Sequence, residues 1–417
     1  MLIKNILLIK NFILYIRLWF NLAHQTSRKL DFIDILFIFI AGCSVLLFIF
    51  MINELSLSEK EVKNFFNNSS LLFVCSRWLT QYFSQTDLIA KTPLLVLHFF
   101  NLMLLYGICR HILKHKSDSL VAIFIYILLP GVNFATLFLI ESNQIIFTTL
   151  AVGYIITRYK KIPIILLFIL SLFSAGTIIV VLGIAVFALR NKYYKTFLFC
   201  LLCAGINYFI YDLDINGKPQ GYILDTLGQM AMLYSPLLFI YYTYSIYWGI
   251  IHKNSPLAYI AGSSIIFCIL LSLRQDINFY TLIPQSLIGI PILIQCFFND
   301  LRTHLPQFRT KHYILSSLII IFLFCETSLF LGNKITYLFS QKPNFASNYY
   351  FAKEIAQQLK NMHITAIKTN SSLAMQLKFY GIYKSHTPEL LPTKTNNSDI
   401  TITYNGRAIK KYNIKNH

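Results

Sequence analysis

Apolar segments long enough to cross a bilayer recur along this chain from Asp31 to Gly332, with short polar gaps between them. Each such segment needs about 20 apolar residues, fewer where it ends in a protein-lined cavity, and must satisfy its own backbone hydrogen bonds. The pattern predicts about eleven spanning helices, at residues 32–52, 93–110, 119–133, 139–157, 162–175, 176–189, 196–211, 229–251, 256–273, 281–298 and 313–332. With 56% apolar residues, 13% charged residues and a mean hydropathy of +0.58, the 417-residue chain is not a soluble globule.

The gaps alternate in sign. Arg110/Lys114/Lys116, Arg158/Lys160/Lys161, Arg190/Lys192/Lys195, Lys253 and Arg302/Arg309/Lys311 mark one side. The other gaps hold most of the carboxylates: Glu54, Glu59, Glu61, Asp87, Glu141, Asp212, Asp214, Asp225 and Asp276. Lys and Arg concentrate in loops that stay in the cytoplasm, so the carboxylate gaps are expected to face outward. An odd number of spans then puts the N-terminus inside and the C-terminus outside. The net charge of +19 sets topology and meets anionic membrane lipid. No nucleic-acid partner is expected, because no recognisable binding motif accompanies the charge.

Several other chemistries are also unsupported. Seven of the eight cysteines fall in or at the ends of apolar spans, with Cys75 alone in an outward loop, so no disulfide framework is implied. Cys200 and Cys203 form a CxxC on an apolar helix with no His or second pair nearby, which reads as buried small hydrophobes. The histidines show no metal-ligand spacing, and no GxGxxG, Walker A, HExxH or GxSxG is present.

Three regions are expected. Residues 1–30 begin with Lys4, Lys10 and Arg17 among Ile, Leu and Phe, a stretch suited to a helix lying in the inner interface. Residues 31–332 form the membrane domain. Its long first outer loop, 53–92, carries apolar residues at helical spacing from Leu71 to Phe83, interrupted by Arg77, as in a helix lying on the outer surface. A second outer loop runs from Asp212 to Gly228. Residues 333–417 form a small extracytoplasmic α/β domain: a helix with Ala352, Ile355, Ala356 and Leu359 on one face, a strand near 363–368, a second helix over 371–380, then Ile400, Ile402 and Tyr404 alternating up to an Asn405-Gly406 hairpin turn. The fold class is thus an all-α polytopic membrane protein with a small C-terminal α/β domain.

Candidate site residues are the carboxylates and cations at the outward helix ends. Glu54, Glu59 and Glu61 suit a general base or metal ligand at the mouth of a cavity, with a solvated loop face as the alternative. Glu141 ends a helix pair containing Pro130-Gly131, in a stretch otherwise apolar, where a carboxylate is costly and functional by default. Arg274, followed by Tyr280 and Pro284, sits against the topology bias and suits phosphate, or snorkels at the interface. Lys91 and Arg77 can hold an anionic head group under the same alternative.

Taken in order, several stretches resemble the membrane-embedded GT-C glycosyltransferases, in particular bacterial proteins similar to dolichyl-phosphate-mannose–protein mannosyltransferase and lipid A aminoarabinose transferase. Ser58-Glu59-Lys60-Glu61-Val62 with Phe65-Phe66 resembles the acidic start of that family's first outer loop. Thr86 to Pro93 resembles its segment ending in Arg-Leu-Pro, followed by Leu105-Tyr106 and Arg110. Leu128-Leu129-Pro130-Gly131 with Glu141, Leu273-Arg274 with Tyr280, Leu282, Pro284 and Pro291, and Leu377 to Gly381 resemble later motifs. The family's usual Asp-Glu is here Lys60-Glu61, its Lys-Pro-Pro is missing, and its second acidic position is Glu.

The resemblance implies transfer of a sugar from a polyprenyl-phosphate carrier to a lipid, glycan or protein acceptor, with inversion, at the outer face of a bacterial cytoplasmic membrane. Glu61, with Glu59 or Glu54 as substitutes, would activate the acceptor hydroxyl or help hold a divalent cation (Mg, Mn or Zn), and Glu141 would be the second acidic group. Arg274 and Lys91, with Arg77 and Tyr280 beside them, would bind the donor phosphate. Two other classes stay open: a transporter or flippase of lipid-linked sugars, and a catalytically inactive assembly subunit.

Overall fold

The computed structural model describes residues 31–211, 221–338, 347–393, 398–404 and 407–415. The expected interfacial helix at the N-terminus, the Asp212/Asp214 stretch and the Asn405-Gly406 turn lie outside these residues.

The membrane domain opens with α1 (Phe32–Glu54), then two short helices of the first outer loop, α2 (Glu59–Asn67) and α3 (Leu71–Tyr82), and the long α4 (Asp87–Ile112). There follow α5 (Lys116–Leu128), α6 (Pro130–Leu137), α7 (Ser142–Tyr159), α8 (Ile164–Phe173), α9 (Thr177–Arg190), α10 (Tyr194–Tyr211), α11 (Ile223–Tyr234), α12 (Pro236–Ile251) and α13 (Pro256–Ser272). The short α14 (Phe279–Leu282) runs through a 3-10 turn into α15 (Ile290–Thr303), and α16 (Pro306–Leu331) ends the bundle. Five helices or helical stretches are long and apolar enough to cross a membrane, and seven if each of two bent pairs counts as one span; three shorter apolar helices accompany them. The chain is a multi-pass helical membrane protein.

The two bends have a covalent origin. A residue before proline is pushed out of helical geometry. Leu129 before Pro130 is extended (φ −66°, ψ 126°), and the α5–α6 axis turns by 62°. Ser235 before Pro236 takes φ 74°, ψ 138°, and the α11–α12 axis turns by 95°. The predicted spans at 119–133 and 229–251 are therefore broken helices. Pro130, Pro236, Pro256 and Pro306 each open a helix, where a missing N–H removes no internal bond. Elsewhere the bundle packs through small residues: a Cβ on Gly183 would lie 2.5 Å from the Ile260 backbone, so α9 and α13 cross at close range.

The C-terminal domain contains α17 (Ala352–Asn361), β1 (Ala366–Lys368), α18 (Ser371–Phe379), β2 (Tyr383–Pro392), β3 (Ile400–Tyr404) and β4 (Arg407–Lys415). The sheet order is β1-β2-β4-β3; β1 pairs parallel to β2 and the other two pairings are antiparallel. Strands β3 and β4 pair across the expected hairpin, with Ile400 opposite Tyr412 and Ile402 opposite Lys410. The apolar sides of α17 and α18 cover the sheet, and Leu359, Leu377, Phe379, Ile400 and Ile402 are buried.

This core does not stop at the domain. The same hydrophobic cluster continues through Phe48 and Ile52 of α1, Val62 and Phe65 of α2, Leu72 of α3 and Leu94 of α4. Phe65 meets Phe379 edge-to-face at 5.3 Å. The α/β domain is therefore welded to the first outer loop.

Candidate active site

The seam between bundle and α/β domain is built around residues 55–58. Ser56 N–H donates to the Tyr349 carbonyl (2.8 Å), and Lys353 N–H to Ser56 Oγ (3.1 Å). Leu57 N–H donates to Tyr380 Oη (3.1 Å), and Gln376 Nε2 to the Leu57 carbonyl (2.9 Å). Ser58 then caps α2, and Glu61 reaches back to it. Ser-x-x-Glu is the spelling of a capping box.

That box absorbs only half of Glu61. Its Oε2 accepts from Ser58 N–H (2.8 Å) and Ser58 Oγ (2.9 Å); its Oε1 accepts from Leu139 N–H (2.7 Å) and lies 3.2 Å from Lys91 Nζ. The carboxylate thus accepts three hydrogen bonds and faces one ammonium. Both partners are sealed, with Glu61 2% and Lys91 0% exposed. Apart from the Glu61 oxygen, the Lys91 ammonium meets the face of Phe138, 5.7 Å from the ring centre. The Lys91 ammonium makes no hydrogen bond among the described residues, and its contact with Glu61 is an ion pair only.

Glu141 lies two residues beyond Leu139 and differs in each respect. It is half-buried and pairs with none of the described cations; it accepts from Asn68 Nδ2 at 2.8 Å. Two sets of contacts hold it. On one side Glu61 fixes the Leu139 backbone. On the other, Arg77 Nη1 donates to the Phe65 and Asn68 carbonyls (2.6 and 2.7 Å), closing the end of α2 and fixing Asn68. Ser142 Oγ next to Glu141 donates to the Tyr280 carbonyl (2.7 Å), and the Tyr280 ring stacks on Phe134 at 5.7 Å. Glu61, Lys91, Arg77, Tyr280 and Glu141 are thereby brought together around residues 138–142.

The other predicted residues stand apart. Glu59 is exposed in the first turn of α2. Glu54 ends α1 and pairs with Lys334 at 2.7 Å. Arg274 is exposed at the end of α13. Asp87, named in the sequence among the outward carboxylates but not among the candidate site residues, is 1% exposed, accepts from Tyr380 Oη at 2.6 Å and lies 3.6 Å from Lys353 Nζ. Burial, with this carboxylate beside it, pushes the Tyr380 phenol well above its ordinary value. Burial and then the charge of Glu61 raise Tyr349 in the same way.

An apolar cavity of about 370 Å³ adjoins the cluster, lined by Phe50, Phe134, Phe138, Phe330, Tyr349 and Tyr350 among others, with Glu54 and Lys334 also lining it. Phe138 partitions it from Lys91, and Tyr349 lies against Phe138 at 4.2 Å. A divalent cation does not fit the Glu61 position, where two N–H groups, a hydroxyl and an ammonium already fill the carboxylate. Among the described residues no three of His, Cys, Asp and Glu converge.

No protein-family model matches the chain, and no curated protein matches it in sequence. A crystal structure of ArnT from Cupriavidus metallidurans in the apo state does superpose, with a TM-score of 0.55 over 82% of this chain and 84% of that one, at 11% identity. The chain therefore shares the fold of that structure.

Proposed function

We propose that this chain is a GT-C glycosyltransferase that moves a sugar from a polyprenyl-phosphate donor to a lipid, glycan or protein acceptor, with Glu141 as the general base. The observation that carries the assignment is the contrast at residues 138–142. One carboxylate, Glu61, is saturated and sealed and holds the loop; the next, Glu141, is accessible and faces no cation. A general base must reach the proton it abstracts, and of the two only Glu141 meets that condition. The ArnT fold and the ordered GT-C-like motifs support the substrate class.

Lys91 supplies the charge that a leaving lipid phosphate requires, since its ammonium lies over Phe138 and makes no hydrogen bond among the described residues. Displacing Phe138 toward the aromatic cavity joins Lys91 to a space suited to the first isoprene units of the carrier. Arg274 acts from the rim, where its planar fork suits phosphate. Electrostatic stabilisation of this kind lowers such barriers most. Asp87, through Tyr380 and Lys353, holds the α/β domain over the site. The Lys/Arg bias of the loops supports a position outside the cytoplasm for this end.

Transport is a second reading, favoured by the two broken helices, a feature of many transporters. Glycan analysis of lipid and protein fractions from cells carrying the wild type, a deletion or Glu141→Gln separates the readings. A general base contributes about 10²–10⁴-fold. Glu141→Gln is expected to remove the same sugar as the deletion while the protein stays folded in the membrane. Loss in the deletion alone assigns the chain to transport or to an assembly role.

A further inference from the structure

The end of the bundle opposite the α/β domain holds a second, larger cavity of about 760 Å³, within the range of about 300–1,000 Å³ typical of ligand sites. Helices α4, α7, α9, α10 and α15 and the loops 160–164 and 253–257 contribute to its wall. The floor is apolar, with Ile112, Ile156, Phe187, Leu257 and Ile292. The rim carries Lys160, Lys161 and Lys253, and no Asp or Glu lines it.

These lysines differ from other cations at the same end. Arg110 pairs with Asp34, Lys116 with Asp31 and Arg302 with Asp118. None of the ion pairs among the described residues includes Lys160, Lys161 or Lys253. Three neutral polar side chains of the wall are already committed. Asn254 Nδ2 donates to Asn191 Oδ1 (2.7 Å), Gln295 Nε2 to the Ile112 carbonyl (3.3 Å) and Thr157 Oγ1 to the Gly153 carbonyl (3.0 Å). Lys253 meets the face of Trp248, 5.6 Å from the ring centre, and the three exposed lysines keep their charge free of a carboxylate.

Lys160 closes α7 with φ 54° and ψ 23°, a left-handed position where glycine is favoured. Lys192, outside the cavity, has a similar backbone at φ 62°, so the cavity and its charges carry the assignment.

We propose that this cavity is a phosphate-anion site, distinct from the transfer site, that holds a phospholipid headgroup with its acyl chains running along the apolar floor. Three unpaired ammonium groups over an apolar base match a lipid phosphate, and basic pockets between membrane helices bind such headgroups. A soluble phosphate shares the recognition chemistry.

The full-length protein is tested in detergent by native mass spectrometry with a mixture of phosphatidylglycerol and phosphatidylcholine, and by calorimetric titration with inorganic phosphate. The variants are Lys160→Gln/Lys161→Gln/Lys253→Gln, the single Lys160→Gly, and Lys192→Gln/Lys195→Gln as a charge control outside the cavity. At roughly fivefold per lysine, the triple variant should lose retained phosphatidylglycerol on the order of a hundredfold, and the control should retain it. Lys160→Gly should lose roughly fivefold while its thermal midpoint holds or rises, because glycine relaxes the helix end; this arm also carries the test if the triple variant fails to fold. Saturable phosphate binding without phosphatidylglycerol preference, lost in the same variants, confirms the anion site and gives it a soluble source. Equal retention of lipid and phosphate in the cavity variants and the control overturns the proposal.

Discussion

Helix α4 carries an ion pair near each end, and the two differ in what they hold. At the far end Arg110 meets Asp34 of α1 at 2.8 Å, and Tyr106 Oη donates to the same carboxylate oxygen at 2.5 Å. Both charged groups keep some exposure, 9% and 7%, and the result is a staple between two helices. At the near end Lys91 meets Glu61 with effectively none, and Glu61 also grips the backbone of the loop before Glu141. The same chemistry serves cohesion at one end and placement of the proposed general base at the other. Dryness separates them: a carboxylate without water takes its hydrogen bonds from the protein, and a bond that satisfies Glu61 is the one that fixes the loop.

The largest effect expected from breaking this comparison is at Glu61. Glu61→Gln leaves the Lys91 ammonium buried without a counter-charge, a loss of about 3–5 kcal/mol, together with transfer activity through the freed loop. Neutralising both sides in Glu61→Gln/Lys91→Met should restore much of the folding stability without restoring activity. Thermal unfolding in detergent alongside the glycan assay reads both. Recovery of stability and activity together would make the pair purely structural.

Asp34→Asn sharpens the contrast from the other end. The change removes one charge from a pair that lipid headgroups and water still reach, and hydrogen bonds to charged groups contribute about 1.5–3 kcal/mol. A loss of about 2 kcal/mol in unfolding is expected, with transfer per folded molecule unchanged. A collapse of activity in folded Asp34→Asn protein would show that the two ends of α4 are coupled.

The sequence carried the repeating helices, the surface helix at Leu71–Tyr82 and the α/β domain, because each depends on apolar spacing within one segment. Some local signals were present but carried a different meaning. Ser58-x-x-Glu61 spells a capping box, yet an acidic triplet in a long loop reads as a solvated mouth. Leu129-Pro130 and Ser235-Pro236 mark breaks that a hydropathy window averages away. The span placed at 93–110 starts at Asp87, because Thr86 caps the helix there, and Asp87 and Lys91 are charged residues that hydropathy excludes from a span. Strand β2 lacks alternation, and its pairing with β4 defines it. What local spacing cannot contain is the partner: Tyr380, 293 residues from Asp87, makes that carboxylate a buried group rather than a loop charge.

The smallest effect belongs to that contact. Tyr380→Phe keeps the ring against Phe379, at 5.2 Å, and deletes one hydroxyl. That hydroxyl donates to Asp87 and accepts from Leu57 N–H, so its removal leaves both a carboxylate oxygen and an amide short of a partner in the seam. Unsatisfied buried groups of this kind cost about 1–3 kcal/mol each, and Lys353 at 3.6 Å from Asp87 compensates part of the loss. The net expectation is about 1–2 kcal/mol, concentrated at the docking of the α/β domain rather than in the bundle. Hydrogen exchange separates the two. Amides of α17 and α18 and the Leu57 N–H should lose protection in Tyr380→Phe, while those in the middle of α4 keep theirs. Uniform loss across both would mean that bundle and domain unfold as one unit, and the seam would then be part of the core rather than a joint over the site.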